Sequence, residues 1–234
     1  IKDVANATYR AEGIRGIRPM LDGEHYTQIS SDGKRLVKYS FKTGKEVATI
    51  FDVETARDCT IKHFDDYIMS PNESLILIQT DTKPIYRHSF TANYYIFNVK
   101  NNKMEPLSTG GPQQVPLFSP DGNQIAFVRN NNIYLVKLLF NNSESQITTD
   151  GKYNEVLNGI PDWVYEEEFG FNRAFDFSAD SKMIAYIRFD ESKVPMYSFP
   201  LYKGKSPSLD QYATYPGEYE YCLLYTSDAA DDKA

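Results

Sequence analysis

One phrase recurs four times along this 234-residue chain. It reads ISSDGKRLVKYS from Ile29, MSPNESLILIQT from Met69, FSPDGNQIAFVR from Phe118 and FSADSKMIAYIR from Phe177. Each copy is an apolar residue, a serine, a small residue or proline, an Asp or Asn, and then a run that reads as a buried strand. The copies start about 40 to 60 residues apart, the spacing of propeller blades with insertions. A four-stranded blade cannot bury both faces alone, so blades stack. The repeat therefore predicts an all-β chain, part of a β-propeller with about three to four four-stranded blades. A β-sandwich with similar turns is the competing architecture.

The stretches between the copies agree with strands. Arg35–Ser40 leads through Lys42-Thr43-Gly44-Lys45 into Glu46–Phe51, and Leu75–Gln79 is a continuous apolar run. Tyr94–Val99 turns at Asn101-Asn102 into Met104–Leu107, and Gln124–Arg129 turns at Asn130-Asn131-Asn132 into Ile133–Leu138. Asn and Gly tolerate the positive φ of tight hairpins. No helical periodicity is sustained over most of the chain. The net charge of −7 speaks against nucleic acid or an anionic membrane as partner. No apolar run approaches the length of a membrane-spanning helix. Cys59 and Cys222 form no disulfide framework, and with His25, His63 and His88 they match no metal spacing, so neither metal nor cofactor is expected.

The segment DWVYEEEFG, Asp162 to Gly170, lies in the longest gap between copies. Three adjacent carboxylates repel one another unless they are fully solvated or a cation is nearby. Trp163, Tyr165 and Phe169 argue against full solvation. Asp162 suits an N-cap and acidic residues suit a first helical turn, so a short inserted helix is predicted. Successive helical residues differ by about 100°, so two of the three glutamates can face one point and the third looks elsewhere.

These residues resemble the dipeptidyl peptidase IV family. DWVYEEEFG is similar to its double-glutamate motif, and YRHSFTANYYIF, from Tyr86, to its arginine-bearing strand. YNEVLNGIPDWVYEEE, SPDGNQIAFVRNNNIYL and YRAEGIRGIRPMLDGEHYT extend the resemblance from the first residues to about Tyr221. It implies the N-terminal part of an eight-bladed propeller that precedes an α/β-hydrolase domain. The implied activity is a serine exopeptidase releasing X-Pro or X-Ala dipeptides from peptides with a free N-terminus. By motif position Glu167 and Glu168 bind the substrate's α-ammonium, and Arg87 touches the substrate carbonyl and the glutamates. Glu166, first of the three, is expected to matter less. The resemblance further implies a homodimer at full length and a periplasmic, extracellular or cell-surface location.

The chemistry of that family needs a G-x-S-x-G elbow followed by Asp and His. None occurs; the nearest string, GKSPS from Gly204, lacks the second glycine. The expectation is thus a substrate anchor without its catalytic residues, inactive alone. Residues 222–234, CLLYTSDAADDKA, resemble no propeller strand and read as a translated transposon-end sequencing adapter rather than a domain. The expected organisation is a propeller portion over 1–221 and this tail. Two alternatives remain: a non-catalytic propeller that binds peptides or proteins, and a sibling prolyl tripeptidyl peptidase or oligopeptidase, against which the adjacent glutamates speak.

Overall fold

The computed structural model describes residues 2–6, 8–9, 16–194, 196–198 and 220–222. The chain divides into two compact units, one of residues 1–81 with 95–106 and one of residues 82–94 with 107–234.

In the first unit, β1 (Arg18–Pro19), β2 (His25–Ile29), β3 (Arg35–Ser40) and β4 (Glu46–Asp52) form a four-stranded sheet in chain order. A second sheet, also in chain order, contains β5 (Asp66–Met69), β6 (Leu75–Pro84), β7 (Phe90–Asn98) and β8 (Lys103–Pro106). Residues 82–94 of the β6–β7 hairpin are counted with the second unit. Leu36 and Phe51 of the first sheet pack with Tyr67, Ile76, Ile78, Phe97 and Met104 of the second. Phe51 meets Phe64 and Phe97 edge-on, with ring centroids 5.4 and 4.8 Å apart. These apolar side chains are almost wholly buried, which supplies the main favourable term for the unit.

In the second unit, β9 (Gln114–Phe118), β10 (Gln124–Arg129), β11 (Asn132–Lys137) and β12 (Ser143–Gln146) make another four-stranded antiparallel sheet. Arg129 pairs with Asn132, and Asn130 and Asn131 take φ of 48° and 60° between them. That is the conformation a two-residue hairpin loop requires and that Asn tolerates. Next come β13 (Val156–Asn158), β14 (Phe175–Phe177), β15 (Ile184–Tyr186) and β16 (Arg188–Asp190), with β13 paired to β16 and β14 to β15. Ala126, Val128 and Ile133 pack with Ile160 and Phe175 to form this unit's core. Finally β17 (Met196–Ser198) pairs with β18 (Glu220–Cys222). Of the tail expected over 222–234, Cys222 falls in β18 and 223–234 lie outside the described residues, as does GKSPS.

The recurring phrase is one turn built four times. It joins β2 to β3, β5 to β6, β9 to β10 and β14 to β15. In each, a serine hydroxyl donates to the Asp or Asn two residues on: Ser30 to Asp32 at 2.6 Å, Ser70 to Asn72 at 2.9, Ser119 to Asp121 at 2.6, and Ser178 to Asp180 at 2.7. The same hydroxyl accepts from the backbone N–H that opens or precedes the next strand, at Arg35, Leu75, Gln124 and Met183. The fourth residue of the turn takes positive φ, as glycine at Gly33 and Gly122 but as Glu73 and Ser181 elsewhere. Serine and Asp are therefore set by turn chemistry, not by any binding role.

The serine bond is the largest cause holding the carboxyls of Asp32, Asp121 and Asp180 below the usual aspartate range. A group depressed on folding adds stability above its unfolded pKa, about 4, and loses that contribution as pH falls through the folded value. The combined substitution Asp32→Asn, Asp121→Asn and Asp180→Asn keeps the acceptor oxygen but removes the titration, as Asn72 already does in the second copy. The variant should lose less of its urea midpoint between pH 7 and pH 3 than the wild type. Equal losses in both would remove these turns from the acid response.

Candidate functional site

The triple-glutamate segment forms a helix, Trp163–Phe169. Asp162 begins it, in extended conformation, with its carboxylate accepting from the Tyr165 N–H at 2.8 Å. Gly170 ends it in the left-handed region at φ 69°, donating to the Glu166 carbonyl. That conformation is why a glycine follows the acidic run. The Tyr165 ring packs edge-on against Phe189 of β16, 5.0 Å between centroids, and leans on Phe169 one turn later. The helix is thereby pinned to its own sheet by an aromatic side chain and a buried cap.

The three glutamates have different surroundings. Glu166 is only 1% exposed, and its Oε1 accepts from the backbone N–H groups of His88 at 2.6 Å and Ser89 at 2.8 Å. Glu167 is partly exposed and accepts from Arg87 Nε through both oxygens, at 2.8 and 3.2 Å. Glu168 is exposed and makes no hydrogen bond or ion pair among the described residues. Consecutive positions on a short helix thus send one carboxyl inward, one to a resident cation and one to open solvent.

Arg87 stands outside the strands. The resemblance implies an arginine-bearing strand, but β6 ends at Pro84 and β7 begins at Phe90, and Arg87 lies in the tip between them. The Ser89 carbonyl takes N–H groups from Ile85 and Tyr86, which closes the tip and takes Arg87 out of any ladder. Asn172, two residues beyond the helix cap, donates from Nδ2 to the His88 carbonyl at 2.9 Å. The Arg87 side chain is 70% exposed, against 21% for Glu167. Only its Nε is engaged among the described residues, so the outer edge of the guanidinium faces solvent. Among the described residues His88 enters through its backbone alone.

Arg87 and Glu167 are therefore in contact, and Glu168 stands on the same two-turn helix. Glu166 and Asn172 were not foreseen as parts of this site. Nothing in the sequence separates Glu166 from its neighbours, because helix phase alone does not say which carboxyl meets a backbone 78 residues away. Glu166, expected to matter less than the other two, is the buried one of the three. Two donors lose their acceptor if it is removed, and unmade bonds of that kind are costly.

Among the described residues no group of three or more His, Cys, Asp or Glu is placed to hold a metal, and no helix is long and apolar enough to cross a membrane. The Cys59 thiol is half-buried, and that burial pushes its pKa up.

The profile of a family described as "Dipeptidyl peptidase IV (DPP IV) N-terminal region" matches residues 70–221. "Dipeptidyl peptidase 4" of Trichophyton equinum is 35% identical over 219 residues, which is 92% of this chain and 26% of that protein. "Probable dipeptidyl-aminopeptidase B" of Talaromyces stipitatus is 40% identical over 153 residues, 61% of this chain and 17% of that protein. The crystal structure of Porphyromonas gingivalis dipeptidyl peptidase 4 superposes with a TM-score of 0.83 at 43% identity, covering 95% of this chain and 31% of that one. The chain thus spans about a quarter of the length of its curated relatives. The successive four-stranded meanders match the N-terminal propeller portion, as the repeat predicts.

Proposed function

This chain belongs to the dipeptidyl peptidase IV family, and we propose that it is the substrate-anchoring portion of a periplasmic, extracellular or cell-surface serine exopeptidase that removes X-Pro or X-Ala dipeptides. One observation carries this reading: Arg87 and Glu167 form a solvent-facing ion pair beside Glu168, an exposed carboxylate with no cation on it among the described residues. The α-ammonium of a peptide has a pKa of about 7.7–8.0 and is largely charged at neutral pH. It supplies the cation that Glu168 lacks, through charge-assisted hydrogen bonds to Glu168 and Glu167. The free guanidinium edge of Arg87 then meets the first peptide carbonyl.

Because the anchor grips the chain end, it measures a fixed distance to the scissile bond. A substrate lengthened at its N-terminus carries no ammonium there and is rejected. The hydrolysis itself belongs to an α/β-hydrolase domain of the full-length protein, which acts as a homodimer in this reading. No cofactor takes part.

The test compares a chromogenic X-Pro substrate with its N-acetylated counterpart in the full-length protein. Acetylation should lower kcat/KM by about 100-fold or more, since two charge-assisted bonds of about 1.5–3 kcal/mol each are lost. Equal rates on both substrates would rule out recognition of the chain end.

A further inference from the structure

We propose that Glu166 is the positioning residue of this anchor: its buried side chain fixes the β6–β7 tip so that Arg87 meets Glu167. The inference rests on the reading of Arg87, Glu167 and Glu168 just given. Arg87 sits on an exposed tip, outside any strand ladder, and its own side chain is 70% exposed. A side chain so placed has many rotamers and little packing to select one. What the tip does have is anchorage on either side of His88 and at Ser89. The His88 and Ser89 N–H groups both donate to Glu166 Oε1, and the His88 carbonyl accepts from Asn172 Nδ2 at 2.9 Å. These bonds join the backbone immediately after Arg87 to the helix that carries Glu167 and to the loop just beyond it.

The helix itself is fixed by the Asp162 cap and by Tyr165 on Phe189. The tie therefore runs from a rigid element to a mobile class of element, and from the residue adjoining Glu167 to the residues adjoining Arg87. One buried glutamate sets the spacing of the two groups that grip the substrate. Both donors are backbone groups, so the bond constrains where the Arg87 Cα lies, whatever its side chain does. Loss of the tie leaves Arg87 and Glu167 chemically intact but unregistered. A misplacement of about 1 Å can cost a reaction about 100-fold.

The experiment is a double-mutant cycle on kcat/KM for a free X-Pro substrate in the full-length protein. Glu166→Ala should lower kcat/KM by about 10- to 100-fold, chiefly through KM, because the substrate is held less well. Glu166→Gln keeps an acceptor oxygen for both N–H groups. It should stay within about five-fold of wild type, the difference between a charged and a neutral acceptor. In an Arg87→Ala background, Glu166→Ala should have little further effect, since there is no guanidinium left to position. A general structural role predicts instead that the two losses multiply. That result, or a Glu166→Ala protein with wild-type KM, overturns the proposal. Asn172→Ala removes the other tie from an exposed loop and should raise KM in the same direction. It carries the test if Glu166→Ala does not fold, as judged by thermal melting and resistance to limited proteolysis of the purified variant. An Asn172→Ala KM equal to wild type would then count against positioning. Arg87→Ala and Glu167→Ala on their own separate the two readings. If both keep wild-type kcat/KM, the ammonium anchor fails and the positioning role falls with it; if only Glu166→Ala is silent, the anchor stands and the positioning role does not.

Discussion

Alanine at Glu167 or Glu168 is expected to lower kcat/KM on free X-Pro substrates by roughly 10- to 150-fold in the full-length protein, one charge-assisted bond of about 1.5–3 kcal/mol being lost in each. The two variants should differ in kind. Glu168 has no partner among the described residues, so its removal takes away only what it gives the substrate. Glu167 also holds the Arg87 Nε, so its removal frees the guanidinium and should cost more. The loss could exceed the single-bond figure, because a dipeptide held less firmly also misplaces its scissile carbonyl. On an N-acetylated substrate, which offers no ammonium, neither substitution should lower the already poor rate much further. Labelling of the reactive serine by a small acylating probe should be unchanged, since the anchor lies in another domain. Wild-type kcat/KM on the free amine in both single variants would sink the assignment.

The strands were legible where local chemistry alone decides. Arg35–Ser40 and Gln124–Arg129 coincide with β3 and β10 to the residue, and both follow the Ser–Asp turn that the repeat advertises. The register begins at that turn, so the sequence states where each strand starts. Ends were less legible. β6 runs past Gln79 to Pro84, and its last four residues are exposed, so no apolar alternation marks them. β7 likewise begins at Phe90, four residues before the apolar run Tyr94–Val99.

The site divides in the same way. A carboxylate triplet behind an N-cap and before a glycine spells a short helix, and its acidity asks for a cation. Which glutamate faces which neighbour depends on where a hairpin tip 80 residues earlier passes, and tertiary placement of that kind has no local signature. Arg87 was identified by resemblance, not by pattern; taken alone it reads as a surface strand arginine, and the structure puts it on a tip.

Gly151→Ala should be among the most damaging single-methyl additions in the second unit, although Gly151 is neither a turn glycine at positive φ nor part of the anchor. A Cβ built there meets the backbone carbonyl of Asn131 and the side-chain amide of Asn132 at distances no real Cβ shows. Neither neighbour is free to yield. Asn131 is held in the β10–β11 hairpin loop at φ 60°, and its carbonyl accepts the Asn158 N–H of β13 at 3.0 Å. The Asn132 amide oxygen accepts from Gly151 N at 2.9 Å and from the Thr148 hydroxyl at 3.1 Å, and that hydroxyl accepts in turn from Ile133 N at 2.9 Å. Making room for one methyl therefore breaks a bonded cluster linking β11, the loop after β12 and β13. Overpacking of this kind costs about 1–3 kcal/mol, and each lost hydrogen bond about 1 more. A total near 3 kcal/mol corresponds to a melting temperature lower by roughly 6–12 °C at this size. Gly44→Ala is the control. Gly44 has φ +66° with nothing within 4 Å of a built Cβ, so it should show the conformational cost alone, about 1–2 kcal/mol. Because Asn158 leads through Gly159 and Ile160 into Asp162, the Gly151 variant should also weaken substrate binding while Gly44→Ala does not. A Gly151→Ala protein that melts as high as Gly44→Ala would show that the cluster relaxes more readily than its bonding implies.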